Sequence, residues 1–547
     1  MSKESTTALK KPKKRICGRS QKIIKDSVQG YIYVDKIVCE KIIDTDIFQR
    51  LRRIEQTSMR CLYPAASHDR FIHSMGVYNL AKIALNTIEN NIVQNAERFG
   101  DIIPAPDLRE KIHFAFEMAA LLHDVGHAPF SHTLEEFFGI EEESDLEVEK
   151  SVLSRRKRNI IKNICKDLKK YEAISESESE EDENRLCEEL SVSGAAPHEL
   201  MSALLSVDYF HNLIVEVAES RNIKNFSDFE LIVRCITGAQ YKKERDAQME
   251  YIAYKNCIIR LLNSSIDVDK LDYISRDSSI SGYDNVKIDI NRLLKSLVVV
   301  TYQDDNGKEC LTFAFNKNAI SVIQNVITSR NSLYTWIYAH HKIKYETYLI
   351  QEGIKKIINN ESEKNRVDMY KKYFSLSAIK DNLICDADIW CLLKDNKSDP
   401  LIEQIFNRNK QHKAIWKSFS EFNILFGDSE SETIGSFSLK KMKLVLDDEL
   451  EIQNFKNYIN VFKNDVEFDL IVHNMKLTNI KKDSILIYLN DKLYGYDAIL
   501  KDLYHDSMST PFFYLFCNEK YIGNIEKNEL VEYIKKYSKF NRQPDFS

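Results

Sequence analysis

The chain has 547 residues, 43% of them hydrophobic, and its 77 basic and 83 acidic residues give a net charge of −6. This length allows a large core and more than one lobe, and the near balance of charge means that any nucleic-acid site must be local. The 11 cysteines are scattered without a CxxC pair, which is typical of reduced thiols and argues against a disulfide framework or a zinc ribbon. Only 15 glycines and 9 prolines favour a mainly α fold.

The chain shows no sign of a membrane-spanning or secretory segment. No stretch approaches the roughly 18 apolar residues of a membrane span, and the N-terminus lacks the apolar run of a signal peptide. We therefore expect an intracellular protein without a membrane partner, cytoplasmic or, in a eukaryote, nuclear. Residues 1–21 include the basic run Lys10–Arg15 and are expected to form a solvated, disordered tail. The alternative for this run is a nuclear address or a nucleic-acid tether.

Apolar periodicity predicts the first elements of a folded core that begins at residue 22. The alternation in residues 30–34 (GYIYV) predicts a short strand. Residues 42–54 place an apolar face at helical spacing, with arginines on the other side. A long amphipathic helix begins near His68 and continues towards Ile92, and another helix covers residues 111–123.

The stretch 119–132 (AALLHDVGHAPFSH) carries three histidines and an aspartate within ten residues. On a helix, His123 and His127 lie four positions apart and share a face, while Asp124 approaches from about 100° away. Imidazole and carboxylate ligands together suit Fe, Mn, Zn and similar divalent metals better than Ca. The alternative is a pair of core histidines that only form hydrogen bonds, but this density of ligands favours a metal site.

Two further predicted helices supply candidate ligands for the same site. His73 lies on the first turn of the helix after His68, as a ligand or as an ordinary polar residue. A helical register puts Asp269, Tyr273 and Asp277 on one stripe beside Lys270. Charged stripes are usually solvated faces, but a carboxylate, a cation and a phenol also describe a metal ligand, a phosphate contact and a sugar platform. Asp269 would complete a metal set with open coordination positions.

Residues 140–194 differ in composition from the core around them. The basic run Arg155–Arg158 leads an amphipathic segment, and the acidic run of residues 175–183 is expected to be disordered. We expect a charged, partly disordered insertion within a core of residues 22–350. The two runs either neutralise each other or have a regulatory or binding role.

The C-terminal half is expected to contain further helices and short strands. Residues 296–316 alternate around Asp304–Gly307, which predicts a β-hairpin. Residues 351–436 are predicted to form a helical extension. Residues 437–547 are predicted to form a separate α+β lobe, with strands near residues 484–489 and 512–517. The predicted fold is thus mainly α, with a helical core, a small β-hairpin and a C-terminal α+β lobe.

Five motifs, in order along residues 22–345, resemble those of the HD-domain deoxynucleoside triphosphate (dNTP) triphosphohydrolases. They are HDRFIHSMGV (68–77), ALLHDVGHAPFSH (120–132), PHEL (197–200), IDVDKLDYISRD (266–277) and SRNSLYTWIYAHH (329–341). The resemblance implies an HD-domain helical core that hydrolyses a dNTP to a deoxynucleoside and inorganic triphosphate. The C-terminal lobe resembles the family only loosely.

The resemblance assigns roles to the motif residues. It implies a divalent metal (Fe, Mn, Zn or Mg) held by His73, His123, Asp124 and Asp269, with Mg on the nucleotide. It places His127, His132 and His198 around the triphosphate, with His132 as proton donor to the leaving group and Glu135 as the partner of His132.

The remaining motif residues would bind the substrate. By similarity, Arg70, Lys270 and Arg330 contact phosphate oxygens, Tyr273 packs at the ribose 2′ position, Gln56 and Asp277 accept the 3′-hydroxyl, and Tyr338 lies under the sugar or base. A triphosphate carries about four negative charges, so attack at its α-phosphate needs such cations and a metal. Ala339 stands where vertebrate members have Gln, and Thr57-Ser58 replaces Leu-Gly, so base preference does not transfer.

The family's nucleotide activator site is half present. A first guanine-nucleotide pocket, for GTP or dGTP, is matched by Lys22, Ile23, Asp44, Gln49 and Arg52, where Gln49 and Arg52 would read the guanine edge. The basic residues of the second pocket are replaced around residues 316–318 and Val322. The alternative is an ordinary helix-start carboxylate and a surface cation. The resemblance also implies a homo-oligomer, a tetramer or hexamer.

Two other functions remain open at this stage. One is an HD phosphodiesterase or nuclease acting on a signalling nucleotide or single-stranded nucleic acid; the Gly-Tyr-Pro segment of many such enzymes is absent, and Tyr273 with Asp277 favours a deoxyribose. The other is a non-catalytic sensor that binds nucleic acid through Arg155–Arg158 and the basic tail. The full set of metal ligands favours an enzyme.

Overall fold

The computed structural model describes residues 20–99, 102–139, 150–171, 179–242, 251–283, 286–303, 309–427, 437–463, 465–475, 485–496 and 510–540. Within these residues the fold is mainly α with three small sheets, which confirms the predicted fold class. Residues 1–19 of the predicted tail (1–21) and the predicted turn Asp304–Gly307 lie outside the described residues, whereas Gln21 already belongs to the first strand.

The helices form most of the chain. In the first half they are α1 (Lys36–Val38), α2 (Asp46–Arg50), α3 (Arg70–Gln94), α4 (Ala96–Phe99), α5 (Pro106–Leu122), α6 (Lys150–Tyr171), α7 (Ser179–Val192), α8 (Pro197–Asp208), α9 (His211–Ser220), α10 (Phe229–Thr237), α11 (Ile252–Arg260), α12 (Val268–Ser281) and α13 (Ile290–Lys295). In the second half they are α14 (Ile320–Leu333), α15 (His341–Asn359), α16 (Glu363–Phe374), α17 (Leu376–Lys380), α18 (Asp386–Asp395), α19 (Pro400–Phe406), α20 (Phe419–Phe426), α21 (Leu439–Leu446) and α22 (Glu449–Asn460), followed by Glu519–Ile522 and Lys527–Lys535.

The strands form three sheets. They are β1 (Gln21–Asp26), β2 (Gly30–Asp35), β3 (Leu297–Gln303), β4 (Glu309–Asn316), β5 (Lys413–Ala414), β6 (Asp469–Met475), β7 (Leu486–Leu489), β8 (Lys492–Gly495) and β9 (Thr510–Cys517). Their order is β1-β2, β3-β4-β7-β8 and β5-β9-β6. The predicted strand in residues 30–34 is β2, and the sequence reasoning missed its antiparallel partner β1.

The strand pairings join parts of the chain that the sequence separates. The predicted hairpin is present as β3 and β4, and β4 pairs in parallel with β7 from the C-terminal region. In the third sheet, β5 from the predicted helical extension pairs with β9. The predicted domain boundaries stay predictions, but the C-terminal strands do not form a sheet of their own.

The segment of residues 42–54 is not the single helix that its periodicity predicts. It consists of a π-helical turn at Cys39–Ile43, α2 and a 3₁₀ turn at Leu51–Arg53. Arg50 does not face solvent with the other arginines but is 3% exposed. Its guanidinium donates to the main-chain oxygens of Ile384 and His127, each at 2.6 Å. With the helix broken here, Arg50 lies where it can donate to both of these loops and hold them together.

The insertion is more ordered than its composition predicts. Helix α7 begins at Ser179, inside the acidic run that was expected to be disordered, although residues 172–178 lie outside the described residues. The later part of α7 buries Leu186 and Leu190, and Glu189 pairs with the buried Arg234 at 2.6 Å. This packing stabilises a helix that composition alone does not predict.

The basic run of the insertion is partly used in packing. Arg156 is 7% exposed and donates to the main-chain oxygen of Glu136. Lys157 donates to the main-chain oxygen of Ala195 at 2.7 Å. These two side chains therefore attach α6 to the segments that carry Glu135 and His198, rather than forming a free basic surface.

No single helix in the described parts of the chain is long and apolar enough to span a membrane. Helices α8 and α9 together have the length and apolar composition of a membrane span, but the chain bends by 64° between them.

Helix α3 confirms the long helix predicted after His68, and it crosses α12 at a glycine. Asp69 caps α3, since its side chain accepts the Ile72 N–H at 2.9 Å. A Cβ atom at Gly76 would overlap the Asp272 carboxylate and lie 2.5 Å from Nη2 of Arg276. Only glycine therefore lets the two helices approach closely enough for α12 to present its carboxylates to α3.

Replacing Gly76 tests this crossing. We expect Gly76→Ala to lower the free energy of unfolding by about 1–3 kcal/mol or more, because a buried methyl group must displace a salt-bridged carboxylate. Gly523→Ala, where no atom lies within 4 Å of the added Cβ, is the matched control and should change stability little. Thermal and urea unfolding measure both variants; equal stabilities would show that the helices can move apart freely.

Candidate active site

The helix that delivers the His-Asp pair ends earlier than predicted. Helix α5 stops at Leu122, His123 is its C-cap, and residues 123–126 form turns. The chain turns here because Gly126 lies against α8: its N–H donates to Ser202 Oγ, and a Cβ would collide with that helix. The prediction that His123 and His127 share a helix face is therefore wrong. The two rings point into separate clusters.

The first cluster contains His73, His123 and Asp269, and we call it the metal cluster. The Nε2 atoms of His73 and His123 lie 3.3 Å apart, and Asp269 Oδ1 lies 3.0 and 3.7 Å from them. Four ligand atoms about 2.1 Å from one ion in a tetrahedron would be about 3.4 Å apart, so this spacing fits a single transition-metal ion. Asp124 flanks the cluster: its Oδ2 lies 3.5 Å from Nε2 of His73, and its Oδ1 lies 3.5 Å from Nε2 of His123.

The outer hydrogen bonds of the metal cluster fix its histidines. The Nδ1 of His73 lies 2.8 Å from Asp272 Oδ2, and the Nδ1 of His123 lies 3.0 Å from the Ala120 carbonyl oxygen. With these Nδ1–H groups donating outward, both Nε2 atoms are free to bind a metal. Burial disfavours a charged imidazole, yet the Asp269 and Asp272 carboxylates raise the pKa of His73 to about 10. The same negative charge favours a bound cation, so the residues fit a divalent metal.

Asp272 is a functional residue that the sequence reasoning missed. It is fully buried on α12 and also accepts both arms of Arg276 at 2.8 Å. Its spacing of three from Asp269 was a usable signal, because on a helix this spacing puts both carboxylates near one face.

Arg70 is tied into the site rather than free for phosphate. Its guanidinium contacts Asp124 Oδ2 at 2.7 Å, Ser131 Oγ at 2.9 Å and the main-chain oxygen of Gln56 at 3.0 Å. It is 4% exposed and lines the cavity described below. In this structure Arg70 orients a candidate metal ligand, and its predicted contact with phosphate stays a prediction.

The second cluster consists of His127, His132, His198 and Glu135, and we call it the histidine cluster. Glu135 accepts from Nδ1 of His132 at 2.9 Å and from Nδ1 of His198 at 2.6 Å. The rings of His127 and His198 stack with centroids 4.0 Å apart. The predicted pairing of Glu135 with His132 is present, and the structure adds a second, shorter one with His198.

The charges within the histidine cluster differ from ring to ring. Burial opposes a charged His198, but Glu135 outweighs it and raises the pKa of His198 to about 9. Burial also opposes a charged Glu135, yet His198 and His132 hold the pKa of this carboxyl well below its ordinary value. Burial lowers the pKa of His127 well below its ordinary value. At neutral pH the cluster therefore contains a His198–Glu135 ion pair beside a neutral His127.

Tyr273, Asp277 and Tyr338 lie at the other end of the site. Asp277 is buried and uses one carboxylate oxygen for His68 Nε2 at 2.6 Å and the other for the Tyr338 hydroxyl at 2.5 Å. Gln56 lies nearby with a buried Oε1 that lacks a hydrogen-bond partner in the described part of the protein. Of the two acceptors predicted for a sugar hydroxyl, Gln56 is thus the available one.

The two remaining predicted cations also have neighbours. Lys270 Nζ pairs with Asp267 Oδ2 at 2.6 Å, and Arg330 lies 4.1 Å above the ring of Tyr334. Both side chains line the cavity, in a position to contact a ligand there.

One cavity of about 810 Å³ connects these groups. Its lining includes twelve of the predicted site residues, namely Gln56, Arg70, His123, Asp124, His132, His198, Asp269, Lys270, Tyr273, Asp277, Arg330 and Tyr338. His73, His127 and Glu135 support the lining through the contacts given above. The sequence did not reveal that α15 and residues 470–473 of β6 form the opposite wall.

Asp386 is a second residue that the sequence reasoning missed. Its carboxylate oxygens accept the main-chain N–H of Glu55 at 2.8 Å and of Phe130 at 2.7 Å. Phe130 and Ser131 have positive φ angles of 56° and 52°, so the turn before His132 is strained. Burial raises the pKa of Asp386 to about 7. Asp386 therefore holds the strained turn that carries His132.

The five predicted activator residues lie apart from the cavity lining. Lys22 pairs with Asp44 at 2.9 Å, both half-exposed, and Gln49 accepts from Arg52 Nε at 2.8 Å. Arg52 also lies 3.4 Å above the Phe71 ring. Four of the side chains form two pairs near the start of the core, Ile23 is exposed on β1, and a nucleotide at this position stays a prediction.

Comparison with known proteins places this geometry in a family context. Residues 70–193 match the sequence profile of the HD domain. The chain carries an HD domain. This match and the His/Asp cluster support a metal-dependent hydrolase of the HD phosphohydrolase superfamily.

The relatives bear out the resemblance to the dNTP triphosphohydrolases. A protein of Dictyostelium discoideum named deoxynucleoside triphosphate triphosphohydrolase SAMHD1 homolog is 24% identical over 468 residues, which cover 85% of this chain and 69% of that protein. Human deoxynucleoside triphosphate triphosphohydrolase SAMHD1 is 36% identical over 114 residues, which cover 21% of this chain and 16% of that protein. An uncharacterised protein of Methanocaldococcus jannaschii is 27% identical over 346 residues, 62% of this chain and 51% of that protein. The chain thus spans about half the length of that relative.

Two solved structures share the fold. A hypothetical protein from Aquifex aeolicus has a TM-score of 0.57 at 17% identity, and the matched residues cover 94% of this chain and all of that protein. A phosphohydrolase from Bacteroides thetaiotaomicron has a TM-score of 0.53 at 21% identity, and the matched residues cover 91% of this chain and all of that protein. At these identities the likeness concerns the fold alone.

Removing the outer hydrogen bond of His73 should weaken metal binding. We expect Asp272→Asn to lower the affinity for Mn or Zn about 10–100-fold, because the amide no longer fixes the ring tautomer or supplies negative charge. Asp107→Asn, an exposed position in the first turn of α5, is the control. Equilibrium dialysis with metal analysis gives both affinities; equal affinities for the two variants would mean that Asp272 does not support the metal.

Proposed function

We propose that the protein is a metal-dependent dNTP triphosphohydrolase, which converts a dNTP and water to a deoxynucleoside and inorganic triphosphate. One observation carries the proposal: the metal cluster, the histidine cluster and the Tyr273–Asp277–Tyr338 group line or support a single cavity. The metal cluster would act at an α-phosphate, the histidine cluster would protonate a leaving oxygen, and the Tyr273–Asp277–Tyr338 group would bind a deoxyribose.

The metal would be held by His73, His123 and Asp269, with Asp124 as the fourth ligand. A divalent ion such as Fe, Mn, Zn or Mg supplies Lewis acidity at the α-phosphate, and Mg accompanies the nucleotide. Arg70 keeps the Asp124 carboxylate oriented through its contact of 2.7 Å. The remaining residues bind and orient the triphosphate.

The cationic groups of the cavity suit a triphosphate. His198 is protonated at neutral pH, and Lys270 and Arg330 line the same cavity. Positive groups fixed in a partly desolvated site stabilise the charge that develops on phosphate oxygens without reorganising. Nε2 of His127 lies 3.3 Å from Asp124 Oδ1, and its buried Nδ1 has no hydrogen-bond partner in the described residues, so Nδ1 is the nitrogen available to a phosphate oxygen.

His132 would supply the proton to the leaving group. As water bonds to the α-phosphorus and releases a proton to the surrounding solvent, the bond from phosphorus to O5′ breaks, and His132 Nε2–H protonates O5′ of the deoxynucleoside. Burial lowers the pKa of His132, and the Glu135 carboxylate, which accepts from Nδ1 of His132, opposes that shift and favours the imidazolium that would donate the proton. Because Glu135, itself paired with His198, holds Nδ1 of His132, the proton would be donated from Nε2 of His132.

The sugar end favours a deoxyribose. Tyr273 lies on the α12 face between Asp269 and Asp277, so its ring would pack at the 2′ position, where a hydroxyl group would be crowded. The free Gln56 Oε1 would accept the 3′-hydroxyl, and Asp277 would do so only by sharing the contacts it already makes. Tyr338 would lie under the sugar or base.

A guanine nucleotide would act as activator at the exposed pairs Lys22–Asp44 and Gln49–Arg52. Support comes from the match of these residues to the family pocket and from their position outside the cavity. By the same resemblance, the active protein would be a homo-oligomer, a tetramer or hexamer.

Product analysis tests the reaction. Protein loaded with Mn or Mg and incubated with each dNTP, with and without GTP, should release equimolar deoxynucleoside and inorganic triphosphate. The double variant His123→Ala/Asp124→Ala should lose at least about 10³-fold in rate, because the metal and its charge stabilisation are removed together. Release of nucleoside monophosphate would instead favour an HD phosphodiesterase or nuclease.

Substitution at Arg52 tests the activator pocket. We expect Arg52→Ala to abolish stimulation by GTP and leave the unstimulated rate unchanged, since Arg52 contacts Gln49 and Phe71 and not the cavity. Arg53→Ala, at the exposed neighbouring position, is the control. Stimulation that survives in Arg52→Ala would contradict this pocket.

A further inference from the structure

The cavity has a wall that none of the family motifs covers. Helix α15 begins just after Tyr338, and its side chains Ile343, Lys344, Thr347 and Tyr348 line the cavity. Residues 470–473 of β6 close the same wall. Two nitrogen-bearing side chains on this wall, Lys344 and His473, have no role in the proposed mechanism.

Lys344 carries an uncompensated charge. In the described part of the protein it has neither a hydrogen bond nor an ion pair, and burial lowers its pKa to about 8, so it is still mostly an ammonium group at neutral pH. Removing a lysine charge from water without a partner is unfavourable. Such a residue is well suited to a ligand that supplies the missing acceptor.

His473 supplies the complementary chemistry. Its Nε2 is buried without a hydrogen-bond partner among the described residues, and burial lowers its pKa to about 3. The neutral ring carries one N–H donor and one acceptor nitrogen, and in the tautomer with the proton on Nδ1 the acceptor is Nε2, whereas the Lys344 ammonium offers only donors.

The position of Lys344 along α15 matches the base end of a bound nucleotide. Gln351, two turns further on, donates to the Thr133 carbonyl oxygen at 2.8 Å, next to His132. Seven helical residues span about 10 Å, so Lys344 lies about that far from Gln351, towards the end of α15 that follows Tyr338. Beyond the sugar, the next group of a nucleotide at this distance is the base.

We propose that Lys344 and His473 form a base-reading site that selects dNTPs with a keto–imino edge, guanine and thymine, over those with an amino edge, adenine and cytosine. The inference rests on the proposed dNTP substrate. On the edge away from the sugar, guanine and thymine present a carbonyl acceptor beside an N–H donor, which pairs with the ammonium donor and the imidazole acceptor. Adenine and cytosine present an amino donor beside a ring-nitrogen acceptor, the reverse pattern.

This recognition accounts for the departure at Ala339. Ala339 has no polar side chain to contact a base, and it is 1% exposed. Lys344, one turn into α15, supplies the polar contact from a different position. A charge-assisted hydrogen bond to a keto oxygen corresponds to a preference of about 10–100-fold.

The test compares kcat/KM for the four dNTPs in the metal-loaded full chain and its variants. The wild-type protein should prefer dGTP and dTTP about 10-fold or more. Lys344→Met and Lys344→Gln should lower kcat/KM for these two by about that factor, and leave dATP and dCTP within about 2-fold. Lys342→Met, an exposed position on the same helix, is the matched control and should keep the wild-type preference.

The outcomes separate the inference from the proposed function. If the wild-type protein hydrolyses dNTPs but shows no keto preference, or if both Lys344 variants lose activity equally for all four dNTPs, the base-reading site is wrong and the triphosphohydrolase stands. If the wild-type protein releases no inorganic triphosphate from any dNTP, the proposed function fails first. Both Lys344 variants should melt at or above the wild-type temperature, because they remove a partly buried ammonium group that has no ion-pair partner among the described residues.

Discussion

The site depends on the buried hydrogen bond from Nδ1 of His73 to the Asp272 carboxylate. Asp272 is fully buried and also pairs with Arg276, which reaches Asp26 of the N-terminal hairpin at 2.7 Å. Charges in a protein interior are tolerated only when each is paired and hydrogen-bonded. The network therefore fixes the crossing of α3 and α12, the close approach at Gly76 and the direction of the His73 ring together. One set of buried charges thus links the hairpin, the helix crossing and the metal cluster.

A single helix end divides the chemistry of the site in two. Because α5 stops at Leu122, His123 joins an anionic cluster with Asp269, whereas His127 joins the histidine cluster around Glu135. The first arrangement favours a cation and the second favours an imidazolium, so in the proposed complex positive charge would lie on both sides of the phosphate chain. Arg70 and Asp124 lie between the clusters and contact each other at 2.7 Å. In the proposed reaction, this separation would let one set of groups act at the phosphorus and another protonate the leaving oxygen.

The sequence predicted well what depends on local pattern and motif. Helices α3 and α12, the β3–β4 hairpin and the residues of both clusters followed from periodicity, turn residues and motif order. It predicted poorly what depends on packing between distant segments. The early end of α5 follows from the contact of Gly126 with α8, helix α7 from burial of Leu186 and Leu190, and the role of Asp386 from hydrogen bonds to residues hundreds of positions away. β7 joins the hairpin sheet across about 170 residues, a distance at which local patterns give no register.

The most direct test of the account is the fate of oxygen from water. Hydrolysis of a dNTP in H₂¹⁸O by the metal-loaded protein, followed by mass spectrometry of both products, locates the bond that breaks. Attack at the α-phosphorus, with O5′ leaving to the His132 proton, puts one ¹⁸O in inorganic triphosphate and none in the deoxynucleoside. Label in the 5′-hydroxyl, or release of pyrophosphate with a labelled nucleoside monophosphate, would contradict the roles given to the two clusters.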